Sequence, residues 1–275
     1  ACSTGVRSTE SLERACALVR ELGFSLVDPL TVEGWHIKPS RLVQDAASEA
    51  ARLRSVLEQH QLECAAINLG FLHNLARCTV EQFRANLEVV RGACLLARAA
   101  GTEILTVGAG HTGGAGNTGD EERGALVERL VERLGRVVAV AAEAGKIVAL
   151  ETHAGSIAVY PEVARELVAR CPGLKLTYDP SHFIADRVPV DETLDLLPHA
   201  AHVHLRNARV GHFQERMAKG LLDMPWIVDQ IVASGYRGAV SIEYIQDCGG
   251  IAEGYEVADE TTILKQLLLD KGLVL

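Results

Sequence analysis

A chain of 275 residues that is 48% apolar and 23% charged is long enough to bury a large core and carries no disordered composition. Its net charge of −9 argues against a surface built for nucleic-acid phosphates, which draws on clustered Lys and Arg. The seven cysteines are scattered without a CxxC pair and read as reduced packing residues. No cationic start leads into an apolar stretch, and no apolar run reaches about 18 residues, so the expectation is a cytoplasmic protein with no membrane partner.

In chain order, short apolar runs alternate with longer stretches of helical periodicity. The run at 1–5 (ACSTG) is followed by a helical stretch near 9–22, and 24–28 (FSLVD) by one at 40–60. CAAINLG at 64–70 precedes 79–100, EILTVG at 103–108 precedes 120–144, and IVALETH at 147–153 precedes 160–171. LKLTYD at 174–179 leads to a shorter helix at 190–197, AHVHL at 201–205 to 224–234, and AVSIEY at 239–244 to 256–270. Several helices end in a Gly suited to a C-cap and run straight into the next strand, as in EAG-KIVAL.

Eight such alternations imply parallel strands joined by right-handed crossovers. An open doubly wound sheet would announce a GxGxxG loop running into a helix, and the Gly-rich stretch GAGHTGGAGNTG at 108–119 lacks that order. The reading is therefore a closed (β/α)8 TIM barrel, one domain spanning 1–275 with no composition break to divide it.

In such barrels the chemistry sits at the carboxyl ends of the strands, so the residue closing each run is the informative one. The fifth to eighth runs close on Glu151, Asp179, His204 and Glu243. Three carboxylates and an imidazole converging on one mouth repel one another and resist burial unless a cation sits among them, which points to a divalent metal. His153 shares the strand parity of Glu151, His182 lies on the loop after Asp179, and His202, one layer below His204, reads as a hydrogen-bonded core histidine. His73 and His111 stand at the rim after the third and fourth runs. Trp35 and His36 after the second run could form an aromatic wall, and the loop arginines Arg206 and Arg209 suit an anionic group on a substrate.

LETH at 150–153, YDPSHF at 178–183, HVHLRNA at 202–208 and SIEY at 241–244 together resemble the xylose isomerase-like superfamily of sugar isomerases and epimerases. The resemblance implies that Glu151, Asp179, His204 and Glu243 hold one Mn²⁺, Mg²⁺ or Co²⁺ ion, with Zn²⁺ as a further option. It implies that Glu151 and Glu243 exchange a proton with a small polyhydroxy carbonyl substrate through an enediolate, and that His182 bonds that substrate. A homodimer or homotetramer is expected on the same analogy. Two features depart from the epimerase pattern: Val210 stands where those relatives carry Arg, and AKGLLDMPW (218–226) replaces their Gly-Glu-Gly entrance to the seventh helix.

The Glu-x-His of LETH is similar instead to the 3-dehydroshikimate and inosose dehydratases of the superfamily, in which His153 would be the base of a lyase. A third relative, the endonuclease IV type of DNA-repair enzyme, would recruit His73 and His111 to a metal cluster. The loop at 205–223 lacks the Asp-x-His that such a cluster needs, and the net charge argues against DNA.

Overall fold

The computed structural model describes residues 1–112, 120–247 and 256–273. Eight parallel strands form the sheet: β1 (Cys2–Ser3), β2 (Leu26–Asp28, continued by Leu30–Thr31), β3 (Glu63–Cys64, continued by Ile67–Leu69), β4 (Ile104–Gly108), β5 (Ile147–Glu151), β6 (Lys175–Tyr178), β7 (Ala200–Leu205) and β8 (Val240–Ile242). Each strand pairs with the next in the chain, and Cys2 of β1 also lies in register with Ile242 of β8, which closes the ring. The barrel expected from the alternation is the fold observed. β2 is interrupted at Pro29, which has no N–H to give to a ladder.

The helices lie outside the ring: α1 (Leu12–Glu21), α2 (Pro39–His60), α3 (Val80–Ala100), α4 (Asp120–Glu143), α5 (Pro161–Arg170), α6 (Pro180–Ala185), α7 (Met224–Ala233) and α8 (Val257–Asp270). Local sequence explains their ends. Thr79 and Gln82 form a capping box at the start of α3, and Gly101, left-handed at φ 76°, stops it. Ser11 caps α1 and Asp223 caps α7. The shorter helix expected at 190–197 is a 3₁₀ helix, Val190–His199, whose interior Pro198 cannot donate an α-helical bond.

One element was not foreseen. An antiparallel hairpin, Asn207–Arg209 paired with His212–Glu215, follows β7 and leans on α6, where the Gly211 amide bonds the Ala185 carbonyl at 2.9 Å. Much of the Gly-rich stretch, 113–119, lies outside the described residues, as does Cys248; the other six cysteines are buried and free. No helix among the described residues is long and apolar enough to cross a membrane.

A candidate metal centre at the carboxyl ends of the strands

Four adjacent strands bring the four strand-end residues together. Glu151 closes β5, Asp179 follows β6, His204 is the penultimate residue of β7, and Glu243 follows β8. One ligand-type atom from each lies within 4.8 Å of all the others, and all four residues are buried. His204 Nδ1 is 2.8 Å from Glu151 Oε1 and 3.3 Å from Glu243 Oε2. Two of the three carboxylates are also held from behind. Asp179 Oδ1 accepts the Ser181 amide at 2.9 Å, capping α6, and Glu243 Oε1 accepts Asn68 Nδ2 at 2.7 Å.

Two further groups fix the set. Arg206, one residue past β7, is 1% exposed; its Nη1 is ion-paired with Glu243 Oε2 and its Nη2 donates to Asp179 Oδ2, both at 3.0 Å. Asp28, closing the first segment of β2, lies beneath His204: its Oδ2 is 2.6 Å from His202 Nε2 and 3.5 Å from His204 Nε2. His202 is thus the hydrogen-bonded core histidine expected, with Asp28 as its partner.

The electrostatics follow from burial and proximity. Burial pushes the Glu243 carboxyl up to about 7. Burial would raise Glu151 too, but the nearby His182 and the His204 imidazole 2.8 Å away outweigh it and hold that carboxyl well below the usual range. For His204 burial opposes the charge, yet Glu243, Asp28 and Glu151 around it raise its pKa well above the ordinary value. His182 goes the other way: burial, with His153 beside it, lowers it to about 4. Arg206 is the one permanent cation facing three buried carboxylates, and the rest of their charge is offset by protons on His204 and Glu243 that a bound cation would displace. A donor set of three carboxylates and one imidazole fits a hard divalent cation in that place.

His153 lies beside this set, its ring centroid 4.0 Å from that of His182. Its Nδ1 is 2.7 Å from the Ala154 carbonyl, an acceptor only, so Nδ1 carries a proton and Nε2 is the lone-pair nitrogen of the neutral tautomer. His182 Nε2 is 3.0 Å from Arg206 Nη2, which can only donate, so His182 accepts there and its proton resides on the buried Nδ1. Phe213 of the hairpin covers both imidazoles, at 5.4 and 5.1 Å, and stacks on Arg206 at 4.9 Å.

The remaining expected site residues are placed differently. Arg206 is not a solvent-facing loop arginine, because two ligand carboxylates draw it into the barrel mouth. Arg209 is ion-paired across the hairpin with Glu215 at 2.8 Å. His36 is buried and bonded to Thr4 Oγ1 at 3.0 Å and the Arg7 carbonyl at 2.9 Å, so it braces the first loop, while the neighbouring Trp35 is half-buried. His111 is exposed and packs on Gly155, where a Cβ would come within 2.6 Å of its Nε2. His73 sits on a loop tied by two backbone bonds to Asn86. Neither His73 nor His111 joins a ligand-type cluster among the described residues.

Asp28, Asn68, Ser181 and Phe213 were not anticipated. Asp28 alone carried a signal, since it too closes an apolar run.

The chain matches the family model of the xylose isomerase-like TIM barrel over residues 16–267. No curated protein matches it in sequence. Among solved structures it is similar to a D-allulose 3-epimerase from Methylomonas sp. in complex with D-allulose (15% identity, TM-score 0.78, covering 98% of this chain and 95% of that one). It is similar also to a xylose isomerase-like TIM barrel protein from Mycobacterium smegmatis in complex with magnesium (18%, TM-score 0.72, 98% and 96%). A third is a probable 3-DHS dehydratase from Bacillus anthracis (16%, TM-score 0.71, 98% and 97%). Because the family model spans nearly the whole chain and the ring of eight strands agrees with it, the protein belongs to the xylose isomerase-like TIM barrel family.

Proposed function

We propose that this protein is a divalent-metal-dependent isomerase or epimerase of a small polyhydroxy carbonyl compound, working by proton transfer next to the carbonyl. The observation that carries the reading is the convergence of Glu151, Asp179, His204 and Glu243 within 4.8 Å at the mouth of the barrel. These four would hold the ion, and Mn²⁺ or Mg²⁺ suits their oxygen-rich set. When bound, such an ion supplies Lewis acidity that polarises a carbonyl and stabilises enediolate charge.

The chain's own residues divide the proton work. Glu151, held ionised by His182 and His204, is the base that takes the proton from the carbon beside the carbonyl. Glu243, at the end of the eighth strand, is placed to return one. Asn68 and Arg206 fix the rotamer of Glu243, and Phe213 keeps water from the histidine side of the site. The resemblance to epimerase structures supports this substrate class.

A second reading has its own support. With Nδ1 committed to the Ala154 carbonyl, the neutral tautomer of His153 turns its Nε2 lone pair outward, which is the form a base needs for elimination of water. In that case the enzyme is a dehydratase, and one of the similar structures is a probable dehydratase.

One experiment separates the two. The Mn²⁺-loaded protein is incubated in D₂O with ketoses, inososes and 3-dehydroshikimate and followed by NMR and mass spectrometry. Deuterium entering at the carbon beside the carbonyl, with no other change in mass, is the expected result. Glu151→Gln should then lose at least about a hundredfold in rate. A product lighter by one water, with its formation abolished in His153→Ala, would replace the isomerase reading with the lyase.

A further inference from the structure

We propose that Arg206 is a positioning residue of the metal centre that acts as a tethered stand-in for part of the ion's charge. The inference rests on the metal reading of the site given above. All three guanidinium nitrogens are bonded within the barrel mouth. Nη1 meets Glu243 Oε2 and the Glu243 carbonyl, each at 3.0 Å; Nη2 meets Asp179 Oδ2 and His182 Nε2, each at 3.0 Å; and Nε meets Ser181 Oγ at 3.1 Å. Phe213 covers its face. A guanidinium does not give up its proton in a protein, so this charge is permanent.

Arg206 therefore neutralises two of the carboxylates that an ion would neutralise. Each cation lowers the cost of burying Asp179 and Glu243, and the two cations repel each other across a desolvated site. Two consequences follow. The site keeps its shape when empty, because Asp179 and Glu243 stay paired. The ion is held less tightly than it would be with a neutral residue at this position. An arginine that merely lined up the ligands would give the opposite sign, since its loss would then weaken the ion.

The test is Mn²⁺ binding followed by electron paramagnetic resonance of the free ion, at about pH 8.5, where the carboxylates are ionised. Wild type is compared with Arg206→Gln, which keeps hydrogen-bond donors without charge, and Arg206→Lys, which keeps charge with fewer bonds. The expected result is Mn²⁺ dissociation constants about tenfold or more tighter in Arg206→Gln and within about threefold of wild type in Arg206→Lys. Thermal unfolding gives the linked readout: the gap between loaded and stripped protein widens in Arg206→Gln and is unchanged in Arg206→Lys. Unchanged or weaker binding in Arg206→Gln overturns the proposal, as does a widened gap in Arg206→Lys. If Arg206→Gln folds neither with nor without Mn²⁺, the gap in Arg206→Lys decides by the same criterion. Absence of Mn²⁺ binding in wild type overturns the metal reading itself, so the two failures are told apart.

Discussion

At the scale of single residues, the site is defined as much by its supports as by its candidate ligands. The rule that found Glu151, Asp179, His204 and Glu243 also reaches Asp28, because each closes an apolar run. Its significance was not legible, since only the closed ring carries β2 across to β7 and sets Asp28 under two histidines. Burial works against its charge, but His202 and His204 outweigh it and hold Asp28 far below the usual carboxylate range. Replacing Asp28 by Ala removes the acceptor of the buried His202 Nε2–H and leaves that donor unpaired, so unfolding in urea should show a loss of about 1–3 kcal/mol. His182 makes a pH-dependent prediction for the metal-free protein. Its folded pKa, about 4, lies below the value of 6.5 for an exposed histidine. Its contribution to stability is therefore complete above pH 6.5 and is lost as pH falls toward 4. In urea melts taken across that window, His182→Gln should fall less steeply than wild type, by up to about 1.4 kcal/mol per pH unit. Identical slopes would refute the assignment; His202, also lowered by burial, leaves a residual slope in both.

At the scale of elements, the helix–Gly–strand rhythm made most boundaries readable, because caps such as Thr79 and Gly101 act locally. The hairpin after β7 was not readable for the converse reason. Its strands are 3 and 4 residues long, and distant groups hold it. The Asn207 amide donates to the Tyr244 hydroxyl at 3.1 Å, which itself donates to the Glu215 carbonyl at 2.9 Å, and Gln214 makes two bonds to the Ile245 backbone at 2.9 and 2.7 Å. This anchoring holds Phe213 over His153, His182 and Arg206. Tyr244→Phe removes both hydroxyl bonds and leaves a buried amide and carbonyl unpaired, at about 1–3 kcal/mol. Hydrogen exchange should quicken at the hairpin amides while those of β4 and β5 keep their protection; protection that falls equally everywhere would show that the hairpin is not a separate unit.

At the scale of the whole molecule, eight apolar runs in one direction leave few alternatives to a closed barrel, and closure brings strand ends to one mouth. The fold and the four converging residues were therefore legible from spacing alone. What spacing does not carry is which charges neighbour which: it left Arg206 as a loop arginine, whereas the carboxylates of β6 and β8 place it inside the site. The central claim is that Glu151, Asp179, His204 and Glu243 act as one cation site. Its most direct test is the stoichiometry and affinity of Mn²⁺ for stripped wild type and for Glu151→Gln, Asp179→Asn, His204→Ala and Glu243→Gln. One ion per chain is expected in wild type, with at least about tenfold weaker binding in each variant. A wild type that binds no ion, or four variants that bind as wild type does, would contradict it.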